Sequence, residues 1–220
     1  MILLSVIIIV LVFSGCAPLY VPNTVNAPLL SNKGEMQAAI HLGTAGFDPQ
    51  LAYAITDNIG VMLNGSFENS KSDSTDDYHK HNFVELGAGY YTKFNENGCF
   101  EVYGGYGYGN MQTLVEKTIF NSKLDVQSSR IFIQPAVGLS TNFVDISLAS
   151  RFVILSAKQN EIRITRSYLE PTLTFKAGPK HIKGVFQVGY SYPLNSIENI
   201  DYQPFMLSLG LHLKLNRKYE

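Results

Sequence analysis

From Glu35 onward the chain repeats one pattern: apolar residues alternate with small or polar ones, a connection follows, and the alternation resumes. A period of two puts successive side chains on opposite faces of a strand, so the pattern demands β-sheet with one oily and one polar face. The segments are Glu35 to Gly43, Phe47 to Ile55, Ile59 to Glu68, Phe83 to Phe94, Phe100 to Gln112, Ser128 to Ser140, Val144 to Leu155, Ser167 to Lys176, Gly184 to Tyr192 and Phe205 to Leu215. Most have the ~9 to 11 residues that a tilted strand needs to cross a bilayer. The connections alternate as well. Thr56-Asp57-Asn58, Glu96-Asn97-Gly98, Thr141-Asn142 and Gly178-Pro179-Lys180 are short; residues 69–82, 113–127, 156–166 and 193–204 are longer and polar. The expected fold class is therefore all-β: an antiparallel up-and-down transmembrane β-barrel of about ten strands, or eight, with short turns on one side and long loops on the other.

Alternation is shared by membrane barrels and soluble lipocalin-like ones, so the quality of the polar row decides between them. A water-facing surface is dense in Lys, Glu and Asp. Here only 16% of residues are charged. The polar row reads Gln37, Ala39 and His41; Asn64 and Ser66; Ala136 and Gly138; Ser147 and Ala149; Gln187 and Gly189. That composition suits a lumen. The opposite row, with Met36, Ile40, Leu42, Ile131, Ile133, Leu148, Leu209 and Leu211, suits lipid, and Phe94, Phe100, Phe143, Phe175, Tyr190 and Tyr192 fall where an aromatic girdle belongs.

Four mid-strand charges, Glu85, Glu101, Arg151 and Glu170, share the lumen row, with Lys93 and Lys214 nearer strand ends. Unpaired charges away from water are costly, so these are expected to pair inside a narrow barrel. A structural salt-bridge plug is the plain expectation, because small barrels have filled interiors; a selectivity constriction or proton path is the alternative. Pro135 and Pro171 fall inside strands, and a closed barrel has no free edge for a missing N–H, so bulges are expected there. If Glu96-Asn97-Gly98 forms a three-residue hairpin loop, Phe94 pairs with Phe100, Lys93 with Glu101 and Tyr90 with Gly104.

Met1 to Phe13 is almost wholly apolar but shorter than the ~20 residues of a spanning helix, and reads as the core of a signal peptide. Phe13-Ser14-Gly15-Cys16 resembles a bacterial lipobox. That resemblance implies cleavage after residue 15 and acylation of Cys16, where each buried methylene contributes about 0.8 kcal/mol of membrane affinity. Residues 16–34, with three prolines and no charge between Ala17 and Asn32, read as an extended tether; the barrel follows over 35–215 and a tail over 216–220. Both termini are expected at the short-turn end. Cys99 is expected to have no disulfide partner.

"LAYAITDNIGVMLNGSFE" (Leu51 to Glu68) and "NFVELGAGYYTKF" (Asn82 to Phe94) resemble the strand-turn-strand units of small outer-membrane β-barrels of Gram-negative bacteria, the group that includes the OmpA transmembrane domain. The resemblance implies location in the cell outer membrane, contact with its lipids, and handling by the barrel-assembly and lipoprotein-sorting machinery. No catalytic or ligand-binding motif travels with it.

With 17 basic and 18 acidic residues, the chain shows no electrostatic footprint for nucleic acid. No cofactor motif is present. The polar stretch Glu68 to Asn82 holds Asp76, Asp77, His79 and His81, which are weak metal candidates: their spacing matches neither an EF-hand nor a zinc-binding helix, and a solvated loop is expected. His41 and His212 fall on the lumen row and His181 in a short turn, without a nucleophile at a telling spacing, so no catalytic residue is assigned. The leading expectation is a lipid-anchored, non-enzymatic outer-membrane barrel with a structural, adhesive or narrow-pore role. The alternatives are a lipid-tethered soluble barrel that binds a small apolar ligand, and an outer-membrane barrel hydrolase.

Overall fold

The computed structural model describes residues 18, 20–71, 78–117, 120–159, 162–195 and 202–215. The segment read as a signal peptide, Cys16, Asp76, Asp77 and residues 216–220 lie outside the described residues. The strands are β1 (Met36–Gly43), β2 (Gly46–Ala54), β3 (Ile59–Lys71), β4 (Tyr78–Lys93), β5 (Gly98–Lys117), β6 (Phe120–Ser140), β7 (Val144–Gln159), β8 (Ile162–Ala177), β9 (Ile182–Tyr190), the two-residue β10 (Tyr192–Pro193) and β11 (Phe205–Leu215). Neighbours from β1 to β9 pair antiparallel in order. Strand β11 then lies between β9 and β1, and β8 with β9 completes the ring. Ten long strands thus close a barrel, with β10 continuing the line of β9 along β8. Closure gives every long strand two neighbours in the ring.

Inside and outside are reversed relative to a water-soluble domain. Leu42, Leu86 and Leu209 are each 64–65% exposed on the outer wall, and Ile131, Leu148 and Leu211 stand beside them in the same band. Glu85, Arg130, Arg151 and Glu170 are buried inside. A continuous apolar belt of this kind is far larger than the isolated apolar patches that water-soluble monomers expose.

Several long strands run past the ends expected from the sequence. Residues 113–127, read as a loop, mostly belong to β5 and β6, whose ladder continues through Thr113 opposite Leu124. A cross-strand bond from Gln112 Nε2 to Asp125 Oδ2 (3.0 Å) belongs to this extension. Polarity there marks the end of the outer apolar band, not the end of the strand.

The hairpin of β4 and β5 also differs from expectation. Lys93 faces Cys99, Tyr91 faces Glu101 and Tyr90 faces Val102, a shift of two residues that keeps every side chain on its expected face. The loop has four residues, Phe94 to Asn97, because the Asn95 side chain closes it: Oδ1 accepts from Asn97 N (2.9 Å) and from Gly98 N. Such an Asx turn substitutes a side chain for a backbone partner.

Neither proline induces a bulge. The β6–β7 ladder skips Gln134 and Pro135, then resumes at Ala136 opposite Ala149 in the register set by Ile133 and Phe152. Around Pro171, pairing with β9 stops at Thr172 opposite Gly189 and resumes at Leu169 opposite Tyr192, again without a shift. Pro49 interrupts the β2–β3 ladder in the same manner. The missing donor is accommodated by omitting ladder bonds locally, so no residue is inserted and the face alternation survives.

The inward glycines of β4 and β5 do not leave bare wall. They receive aromatic rings: a methyl group on Gly105 would stand 2.5 Å from Phe132 Cζ, and one on Gly89 2.6 Å from Tyr103 Cδ1. Phe132, Tyr103, Met62 and Tyr168 form part of an internal apolar cluster.

Candidate functional site: a lumen filled by the N-terminal segment

Residues 20–30, expected to hang outside the barrel as a tether, thread through it. Tyr20, Val25, Leu29 and Leu30 are each at most 1% exposed. At the long-loop end Tyr20 bridges to Tyr202, its carbonyl accepts from Gln203 N (2.9 Å), and its ring stacks on Tyr168 at 4.6 Å. At the short-turn end Cys99 Sγ lies 3.5 Å from the Leu30 carbonyl, and Lys33 N donates to Asp57 Oδ1 (2.9 Å). At ~3.3 Å per residue an extended stretch of this length matches the ~30 Å thickness of a hydrocarbon core. Both ends of the barrel, Met36 and Leu215, pair at the short-turn end as expected; the correction concerns the segment before it, whose start at Tyr20 lies at the long-loop end.

A lone strand inside a barrel has no backbone ladder, yet its buried N–H and C=O groups still need partners. Lumen side chains supply them. Gln187 clamps Val25 on both sides, accepting from its N–H (2.7 Å) and donating to its carbonyl (2.8 Å). Asp48 accepts from Thr24 N (2.7 Å) and Glu101 from Leu29 N (2.9 Å). Gln134 donates to the Asn26 carbonyl (2.8 Å), Arg151 to that of Asn23 (3.0 Å) and Lys176 to that of Ala27 (3.2 Å). Pro22 and Pro28 have no N–H and so remove two donors that would otherwise need acceptors.

The expected charge network exists in part. Glu85, Arg151 and Glu170 meet, and the sequence reading missed their fourth member, Arg130. Arg130 grips Glu85 through Nε (2.8 Å) and NH2 (2.7 Å). Arg151 grips Glu170 through Nε (2.8 Å) and NH2 (2.7 Å) and lies 3.7 Å from Glu85. The filling strand is tied into this tetrad, because Tyr20 OH donates to Glu170 (2.6 Å) and Asn23 Nδ2 to Glu85 (2.8 Å). Arg130 lies on the lumen row, but the consecutive apolar residues Ile131, Phe132 and Ile133 hide the alternation beside it.

The other expected members are elsewhere. Glu101 serves the Leu29 backbone. Lys214 pairs with Glu35 (3.2 Å) at the short-turn mouth. Lys93 is exposed at the rim opposite Cys99 and takes no part. A second buried pair, Lys183 with Asp145 (2.7 Å), was not anticipated.

His79 and His81 are not in a solvated loop. Both point inward from β4, each 6% exposed, beside Glu68 of β3. They lie beyond the outer apolar band, which on these strands ends near Phe67 and Val84 and gives way to Asn69, Asn82 and Lys80. Burial lowers both imidazole pKa values, His81 to about 4, and raises that of Glu68. Deeper in the lumen His41 Nδ1 lies 3.1 Å from Ser208 Oγ, and His212 Nε2 2.8 Å from Gln37 Oε1; all four residues are buried.

No family model matches this sequence, and no curated protein does. Among solved structures, the chain is similar to the N-terminal β-barrel domain of Pseudomonas aeruginosa OprF at 13% identity, with 84% of this chain and 98% of that one covered. The TM-score of 0.35 is too low for that likeness to carry an argument. The fold assignment rests on the closed strand pairing and the inverted distribution of apolar residues.

Proposed function

We propose that the protein is a lipid-anchored outer-membrane β-barrel of a Gram-negative bacterium with a structural or adhesive, non-enzymatic role. The observation that carries this reading is the outer apolar belt around a polar, filled interior, an arrangement stable in lipid and unstable in water. A lumen occupied by its own chain supports a structural or adhesive role over a narrow pore. In barrels of this kind the long loops face outward. Tyr20 is at that end, and Cys16 precedes it by four residues, which reach at most ~14 Å. The proposed acyl anchor thus belongs to the long-loop mouth, and the partners are outer-membrane lipids together with the barrel-assembly and lipoprotein-sorting machinery.

Alkaline carbonate extraction of membranes tests the reading. Changing Cys16 to Ala is expected to abolish incorporation of labelled palmitate while leaving the protein in the pellet until detergent is added. Release of that variant by carbonate alone would show that acylation, and not the barrel, holds the protein on the membrane.

A further inference from the structure

Three side chains at the long-loop end of the lumen converge on one point. His79 Nε2 and His81 Nδ1 are 2.9 Å apart, and Glu68 Oε2 lies 3.8 Å from the first and 3.7 Å from the second. A triangle with those sides has its three corners equidistant from a point about 2.0 Å away, which is the bond length zinc makes to imidazole nitrogen and carboxylate oxygen. Three donor atoms this close can share one ion with only small movements.

The remaining ring nitrogens are held as well. His81 Nε2 lies 2.9 Å from Ser66 Oγ, and His79 Nδ1 3.2 Å from Thr113 Oγ1. Partners on the far nitrogen fix ring orientation and tautomer, as the supporting shell of a metal site does. With each outer nitrogen donating to its hydroxyl, both inner nitrogens, which otherwise share a hydrogen bond at 2.9 Å, are left as acceptors beside the Glu68 carboxylate. Nothing among the described residues supplies a cation there. Arg130, the nearest cation named in the lumen, is engaged by Glu85 and lies over the Phe83 ring at 4.5 Å.

We propose that Glu68, His79 and His81 bind one divalent transition-metal ion of the zinc type, with Ser66 and Thr113 supporting the two imidazoles. Two nitrogens among three ligands exclude calcium and magnesium, which take oxygen ligands, and suit zinc, copper, nickel or cobalt. Three protein ligands leave a further position open to water or an anion, and a small closing of the donor triangle lifts the ion out of its plane into tetrahedral geometry. The site would clamp β3 to β4 just above the outer apolar band. Sequence spacing alone hid it, because the Glu comes from the preceding strand and the two imidazoles are separated by one residue, a spacing that puts both on one face of a strand and on different faces of a helix.

The test uses Co2+ as probe with the folded full-length protein in detergent micelles. One equivalent is expected to bind, to give the visible absorption of a four-coordinate ion, and to be displaced by Zn2+ but not by Ca2+. Changing His79 or His81 to Asn is expected to weaken binding by at least about 100-fold, and Ser66→Ala, which removes only a supporting hydroxyl, by about 10-fold. His181→Asn, at an exposed turn, leaves binding unchanged. Failure of the intact protein to bind Co2+, or equal binding by the His79 and His81 variants, overturns the proposal. Should those two variants fail to fold, the Cu2+ electron paramagnetic resonance spectrum of the intact protein decides: coupling to two nitrogens supports the site, and an oxygen-only pattern overturns it.

Discussion

Removing residues Tyr20 to Ser31 is expected to turn a closed barrel into a conducting one. Reconstituted in planar bilayers, the intact protein should show no resolvable current steps, because the filling strand is hydrogen-bonded to side chains from β2 through β9. Asp48, Asn64, Glu85, Glu101, Gln134, Arg151, Lys176 and Gln187 each contribute a partner to it. Without the strand those eight polar groups would face water in a continuous channel, and discrete steps should appear. A deletion variant that folds, as judged by heat-dependent gel mobility, and still passes no current would show that the barrel wall closes the lumen by itself.

The second large effect concerns the buried tetrad. Two guanidinium groups and two carboxylates balance inside the lumen, each at most 2% exposed. Among the described residues, changing Arg151 to Met leaves Glu170 with only the hydroxyls of Tyr20 and Ser191 (3.2 Å), and leaves the Asn23 carbonyl without its side-chain donor. Loss of one member of a buried ion pair costs about 3–5 kcal/mol, whereas replacing both members by neutral groups is often tolerated. The urea midpoint in lipid vesicles should therefore fall sharply for Arg151→Met and recover most of the difference when Glu170→Gln is added. Equal midpoints for the parent and the single variant would mean that water enters the lumen freely enough to solvate these charges.

What the sequence shows clearly is whatever depends on a period of two. Strand number and face assignment follow from side chains that must alternate between an apolar outer wall and the lumen; the expected short-long rhythm of connections does not survive, because β5 to β8 extend until only residues 118–119 and 160–161 join them. The β4–β5 register was less legible, because the hydrogen bonds of the Asn95 side chain set the loop length and a shift of two preserves the hydrophobic pattern. Proline positions were visible, but not that a ladder can lose bonds without inserting a residue.

The filling strand was hidden for a different reason. Neutral, proline-containing, aperiodic sequence serves equally as a tether in water and as a strand that accepts side-chain partners. Its trace lay elsewhere, in Gln50, Asn64, Gln134 and Gln187, long amides on the lumen row whose backbone-like donor and acceptor pairs match an extra strand. Glu68, His79 and His81 were obscured in turn by the assumption that a polar stretch between strands is loop, although β3 and β4 continue beyond lipid and keep their inward face.

The most direct test of the central claim uses the absence of tryptophan from the chain. Single tryptophans at Leu148 or Leu211, both on the outer wall, should be strongly quenched in vesicles of lipids brominated along their acyl chains. A tryptophan at Val25 should be sheltered from those lipids and from aqueous acrylamide alike. If the Leu148 and Leu211 positions were instead quenched by acrylamide and untouched by brominated lipid, the apolar wall would not face a membrane and the account would be wrong.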